Sequence, residues 1–289
     1  MRSRLIFSPW LALAPALALV AVLVGASLAY GVAQSLGLMA VIGQNTLSLD
    51  AYRSLLSGQG PAGREFWGAL GFSLWVSLAS TVSAAALALL VAVGLASQPS
   101  GGAADTLALN WNLAVPHLVW AVALLLLLAQ SGLLARLAAT AGLIQMPADF
   151  PVLVRDGYGL GIILHYVSKE TPFLALIVLA MLRSQPTGYA QVAANLGATR
   201  WQRLRYVTLP FVLPALSAGA LLVFAFVFSA YEVPALLGVG YPRLLSVLAL
   251  RFFSDPDLRA RANGMAVSLI LTAIVLVVAA VSRRRGGAK

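Results

Sequence analysis

Lys169 and Glu170 stand side by side inside the apolar run 158–182, in a chain of mean hydropathy +0.91 with only 10% charged residues. About eleven residues into a helix rising 1.5 Å per residue is roughly 16 Å, close to mid-membrane. An ionisable pair at that depth is expensive in lipid and normally faces a protein interior or a water-filled path. His165 lies four residues before Lys169 and Tyr166 four before Glu170, so all four share one polar patch of a helix. Such a patch supports two chemistries. One is contact with a polar or charged solute crossing the membrane; the other is mutual neutralisation that holds two helices together. Tyr231 and Glu232 form a second polar site near the end of a later apolar run, where Glu232 reads as a membrane-edge group in preference to a path-lining one. Two acids against one lysine lean this candidate path toward a cation.

Other chemistries find no residues. The chain has no cysteine, which excludes disulfides, thiolate nucleophiles and Cys-ligated metal sites. Two histidines, His117 and His165, are too few for a histidine metal centre, so no metal site is expected. His117 follows Pro116 and is expected to bond a backbone carbonyl beside it. No G-x-x-x-x-G-K-[ST] sequence is present, so this chain is not expected to bind ATP itself. Gly157-Tyr-Gly-Leu-Gly161 has no strand before it, and its spacing reads as close helix packing, not as a phosphate cradle. The net charge of +10 sits at the ends of apolar segments and follows membrane topology, with no nucleic-acid partner implied.

The elements that must position these groups are membrane helices. Each span takes about 20 apolar residues, and the sequence offers six: 5–33, 66–96, 107–128, 158–182, 211–237 and 260–281. The class is therefore an all-α integral membrane protein in a lipid bilayer. The first run is longer than the apolar region of a signal peptide and reads as a retained span. Leu47, Tyr52, Leu55 and Leu56 mark a short amphipathic helix, and 133–143 an interfacial one. Ser73, Ser77, Ser80, Ser83 and the alanines 84–86 are small residues that let helices approach closely. Pro172 is expected to kink the fourth span. The chain divides into 1–64, one span plus an outer segment, and 65–289, a five-helix core carrying the loop 183–210. The terminal arginines (Arg2, Arg4, Arg283 to Arg285) favour both ends in the cytoplasm.

That loop is the longest polar interval between two apolar segments, and it carries Arg200, Arg203 and Arg205. Pro186 and Thr187 suit a helix start and Gly197 a stop; a second short helix is expected from Thr199. Gln191-Val-Ala-Ala-Asn-Leu-Gly197, then Val207-Thr-Leu-Pro210, resembles the EAA loop of inner-membrane permeases of binding-protein-dependent ABC importers. Ala193, Gly197, Leu209 and Pro210 match the pattern, and Val207 stands in for its Ile. Leu196, Ala198, Arg200 and Trp201 fill it in the usual way, and Ala194 and Thr199 belong to the same candidate coupling loop. Gln191 replaces the Glu and Val192 the first Ala, so a hydrogen bond would stand where that Glu would form an ion pair. The flanking Lys169-Glu-Thr-Pro-Phe173 and Tyr231-Glu-Val-Pro-Ala-Leu-Leu-Gly238 are similar to the spermidine/putrescine, iron and thiamine importer group.

The resemblance implies a MetI-like permease fold and a non-catalytic transport subunit in a bacterial inner membrane. It implies an ABC ATPase dimer holding ATP and Mg, docked on the 186–210 loop. It also implies a second permease, either a different chain or a copy of this one, and a solute-binding protein. The competing reading from the residues alone is an ion-coupled secondary transporter using Lys169 and Glu170. That reading requires internal inverted repeats, and the two halves show no convincing similarity. An intramembrane enzyme lacks a nucleophile paired with a base.

Overall fold

In lipid a backbone carbonyl has no water to turn to, so a chain of this composition folds as helices that satisfy their own ladders. The computed structural model describes residues 9–39, 43–96, 103–184 and 188–286. Its helices are α1 (Pro9–Ser35), α2 (Asp50–Leu56), α3 (Gly60–Ala96), α4 (Ala103–Ala114), α5 (His117–Leu128), α6 (Leu133–Thr140) and α7 (Leu160–Ser184). There follow α8 (Gly188–Asn195), α9 (Arg200–Arg203), α10 (Leu209–Ser229), α11 (Glu232–Leu237), α12 (Leu245–Phe253) and α13 (Ala260–Gly286). Among the described residues six helical segments are long and apolar enough to cross a membrane, as expected. The expected short helices appear as α2 and α6. Pro186 and Thr187, the expected start of the loop helix, and Arg2 and Arg4 lie outside the described residues.

Two spans differ from expectation. The third is interrupted at Val115–Pro116, leaving α4 and α5 as separate helices. Proline has no N–H and disfavours helical geometry in the residue before it, and Pro116 itself is extended (ψ 145°). The fifth begins earlier and ends earlier. Helical chain starts at Arg200, passes through a π turn at Leu204–Thr208 and stops at Ser229, where Ala230 is extended (ψ 140°). Pro234 causes the stop, because it cannot donate to the carbonyl of Ala230. The loop expected at 238–257 also contains α12, which buries Leu245, Leu248, Ala249 and Phe252 at helical spacing.

The chain forms two compact units, one of 1–66 with 248–270 and one of 67–247 with 271–289. In the first, Tyr52 Oη donates to Ser35 Oγ at 2.9 Å, and Arg251 Nη1 reaches both carboxylate oxygens of Glu65 at 2.5 and 2.6 Å. The second holds the polar patch. Its α3 presents Ser73, Ser77, Ser80, Ala84, Ala88 and Ala92, all fully buried, at spacings of three and four. These small side chains bring backbones together, which is how helices associate where apolar burial offers little gain over lipid. Ser83 and Ala86 of the same helix fall on its exposed face. Helix α10 lays Val212, Leu216, Gly219, Val223 and Val227 along its buried face, with Gly219 seated on Leu174 and Ile177 of α7.

Of the glycines at 157–161, Gly159 and Gly161 make the close approaches and Gly157 does not. Gly159 has φ +74° and lies against Phe72 and Val76, while a Cβ on Gly161 would stand 2.8 Å from the carbonyl oxygen of Leu153. Gly161→Ala should therefore cost about 1–3 kcal/mol through overpacking, read as a lower thermal-unfolding midpoint in detergent. Gly157→Ala should leave the midpoint unchanged, since nothing lies within 4 Å of its Cβ position. Equal behaviour of the two variants would contradict this packing.

Candidate functional site

Two prolines on neighbouring helices create the site. Pro116 deprives the carbonyl of Asn112, four residues earlier, of its helical donor; Pro172 does the same to the carbonyl of Ser168. The Val115 N–H makes a long 3.3 Å bond back to the Asn112 carbonyl, and both carbonyls are also answered from the other helix. Lys169 Nζ donates to the carbonyl oxygens of Asn112 at 2.5 Å and of Val115 at 2.6 Å. Asn112 Nδ2 donates to the carbonyl oxygen of Ser168 at 2.7 Å. Trp120 Nε1 donates to Ser168 Oγ at 2.8 Å, and that hydroxyl donates in turn to the carbonyl of His165. A third case closes the second unit: Ser246 Oγ donates to the carbonyl of Ala230, the one Pro234 leaves free.

His165, Tyr166, Lys169 and Glu170 are brought together, all less than 9% exposed. His117 joins them instead of bonding a carbonyl beside Pro116. Its Nδ1 lies 3.2 Å from His165 Nε2, so one of these nitrogens carries the shared proton, and its Nε2 lies 3.7 Å from Glu170 Oε1. The break at Pro116 re-aims the first turn of α5 and puts His117 there. Tyr166 stands edge-on to His165 and to Phe226, with ring centroids 5.0 and 6.1 Å away. Tyr166 Oη and His165 Nδ1 have no hydrogen-bond partner among the described residues.

The side chains of the adjacent pair therefore have different surroundings. Lys169 has its ammonium on two carbonyls, whereas Glu170 accepts no hydrogen bond from the described residues. A cavity of about 310 Å3 is lined by His117, Lys169, Glu170, Phe173, Leu222 and Phe226, among others. Tyr231 and Glu232 stand exposed at the break between α10 and α11, and Glu232 is close enough to His117 and Tyr166 to act on both electrostatically. Asn112, Trp120, Ser168 and Ser246 were missed from sequence. The available signal was a polar side chain inside or beside an apolar segment that also contains a proline.

The loop residues make a separate, exposed structure. Gly197 takes φ +80°, ending α8 as expected. Thr199 caps α9 reciprocally with Gln202. Gln191, Ala194, Leu196, Thr199 and Arg200 are exposed, Ala193 and Ala198 half-buried, and Leu209 and Pro210 open α10. Leu196 is 82% exposed and Trp201 67%, large apolar groups facing outward from a polar loop.

These features define a multi-pass, all-α membrane protein. The fold superimposes on chains of two solved bacterial alginate ABC transporters. One gives a TM-score of 0.69 at 18% identity over 95% of this chain and 98% of that one. The other, in complex with an alginate-bound periplasmic protein, gives 0.71 at 17% identity over 96% and 97%. Residues 150–285, just under half of the chain, match the family of the binding-protein-dependent transport system inner membrane component. The Escherichia coli (strain K12) inner membrane ABC transporter permease protein YnjC is 36% identical over 204 residues, covering 69% of this chain and 38% of that protein. YdcU, an inner membrane ABC transporter permease of the same strain, is 32% identical over 174 residues, 57% of this chain and 56% of its own length. The thiamine transport system permease protein ThiP of Salmonella typhimurium is 28% identical over 73% of this chain and 38% of its own. The alignments thus span well under two thirds of these relatives' lengths.

If Lys169 works by capping the break at Pro116, Lys169→Met should destabilise the protein by about 1–3 kcal/mol, since the Val115 carbonyl loses its ammonium donor and the Asn112 carbonyl keeps only the long bond from the Val115 N–H. The same change in a Pro116→Ala background, where residue 116 regains an N–H for Asn112, should cost measurably less. A double-mutant cycle of thermal midpoints in detergent reads the coupling, and zero coupling contradicts the capping role.

Proposed function

We propose that this chain is the membrane-spanning permease subunit of an ATP-driven importer, passing a small solute delivered by a binding protein outside the cell. The observation that carries this reading is the α8–α9 segment. It joins two spans directly, is braced by Gly197 and the Thr199 cap, and turns Leu196 and Trp201 outward with arginines beside them. An apolar, preshaped knob on a polar loop suits a groove on another protein. In this reading an ABC ATPase dimer, which holds ATP and Mg, seats on residues 186–210. This chain itself catalyses nothing. Both termini and the loop then face the cytoplasm, and a second permease completes the path. The family match over 150–285 favours this coupling over an ion-driven one.

The solute passes near His165, Tyr166, Lys169, Glu170, Tyr231 and Glu232. Glu170 supplies the contact there, since Lys169 is held by its carbonyls, and a cargo that offers hydrogen-bond donors or positive charge suits the carboxylate. Alternating access requires that ATP and the loaded binding protein both favour one of two states.

Arg200→Glu should reduce ATP-dependent uptake in proteoliposomes at least about tenfold, the scale of about 1.4 kcal/mol of lost coupling, with a thermal midpoint in detergent close to wild type. Gly197→Asp, strained at φ +80°, should lose at least as much uptake together with a lowered midpoint. Uptake that proceeds without any ATPase subunit, or that is indifferent to both substitutions, sinks the proposal.

A further inference from the structure

A second cavity, of about 680 Å3, lies between the end of α5, the start of α6 and the segment 152–155, with no part in the path described above. Arg136 and Arg155 line it, and its floor is apolar, made by Leu125, Leu126, Val152 and Val154. Neither guanidinium lies within ion-pair distance of a carboxylate among the described residues. The acids nearest in sequence are engaged elsewhere. Asp149 Oδ2 accepts the backbone N–H groups of Gln145 and Met146, and buried Asp156 accepts that of Tyr158 through Oδ2, its Oδ1 being buried without a hydrogen-bond partner among the described residues. Arg136 is held from behind, its Nε donating to the carbonyl of Ser131 at 3.1 Å, which leaves its outer N–H groups free. Arg155 is the one non-glycine residue with positive φ (58°) among the described residues, and its N–H is tied to the carbonyl of Leu237 at 2.8 Å. A residue held in a sparsely populated backbone conformation is a mark of function when its surroundings enforce it.

The surroundings specify what is missing. The cavity sits where the apolar helix α5 gives way to Gln130 and Ser131, a step in polarity like the one a bilayer makes from acyl chains to headgroups. Helix α6 turns Leu133 and Leu137 outward, each 54% exposed, and Leu126 is 66% exposed on α5. A short amphipathic helix with exposed leucines and an arginine at the end of a span lies in the interface plane. Two unpaired forks above an apolar floor therefore ask for an anion carrying hydrocarbon, and guanidinium geometry matches a phosphate bidentately.

We infer that the cavity of Arg136 and Arg155 binds an anionic phospholipid, its phosphodiester between the two guanidiniums and its acyl chains along Leu125, Leu126 and Leu133. Residue 155 precedes α7 and the α8–α9 segment follows it, so this site lies at the opposite end of that span from the loop. A lipid there would brace the outer end of α7.

Native mass spectrometry of the full chain, released from micelles holding equal phosphatidylglycerol and phosphatidylcholine, tests this. Phosphatidylglycerol should be retained at least several-fold over phosphatidylcholine, and the Arg136→Gln/Arg155→Gln double variant should lose that preference. Arg136→Lys/Arg155→Lys, which keeps the charge but not the fork, should retain an intermediate preference and shows that a loss is not misfolding. Equal retention of both lipids by the wild type, or an undiminished preference in the glutamine variant, overturns the proposal. Thermal stabilisation by glycerol 1-phosphate equal to that by phosphatidylglycerol also overturns it, making the occupant a soluble phosphate. So does displacement of the lipid by an acidic soluble protein that holds the site in the assembled transporter.

Discussion

A proline inside a membrane helix leaves one carbonyl without a donor, and nothing in hydrocarbon will supply one. The polar interior of this protein is organised by that deficit. Pro116, Pro172 and Pro234 expose the carbonyls of Asn112, Ser168 and Ala230, and Lys169, Asn112 and Ser246 answer them from other segments. Because the answers come from outside the broken helix, each break also becomes a crosslink. Asn112 takes part twice, giving its carbonyl to Lys169 and its amide to Ser168, so the α4–α7 contact is fixed in register and in rotation. Small side chains on α3 and Gly219 on α10 set how close the helices come; the proline-directed hydrogen bonds set how they are turned.

This arrangement decides the roles of the adjacent charges. An ammonium wrapped by two carbonyls has found a substitute for water, and its positive charge is spread onto backbone dipoles. The neighbouring carboxylate faces an imidazole at 3.7 Å and a cavity. Two residues that look like an ion pair in the sequence are thus a brace and a free group. His117 and His165 share one proton between facing nitrogens and leave Glu170 as the open acceptor of the patch.

Much of this was legible beforehand. The six spans follow from apolar run lengths, and the stop at Gly197 and cap at Thr199 follow from local backbone chemistry, which needs no tertiary partner. The polar patch at 165–170 was legible from spacing, for the same reason. The breaks were written in the prolines, yet reading 107–128 and 211–237 as unbroken spans gave hydropathy priority over the missing N–H. The partners of the freed carbonyls were not readable at all, because Asn112 and Lys169 are 57 residues apart and only packing brings them together. Helix α12 was missed although Leu245, Leu248, Ala249 and Phe252 have helical spacing, the stretch between the fifth and sixth apolar runs reading whole as a loop.

The same local rigidity bears on how a push at the loop would travel. From Arg200 to Ser229 the chain is helical without interruption, the π turn at Leu204–Thr208 included. A π turn carries one extra residue per turn and rotates whatever follows it, so α9 and the buried face of α10 are set in fixed phase. On the other side α7 ends at Ser184 and α8 resumes at Gly188. Under the proposed coupling, displacement of α9 moves α10 as a rod and slides Gly219 along Leu174 and Ile177. The crosslink at Lys169 holds α7 to α4 meanwhile. Relative motion is then concentrated between α10 and α7, beside the cavity where Glu170 stands open. A small-residue seat permits such sliding at little steric cost, whereas the carbonyl-capped contact does not, and this difference makes one helix pair the moving joint and the other the frame.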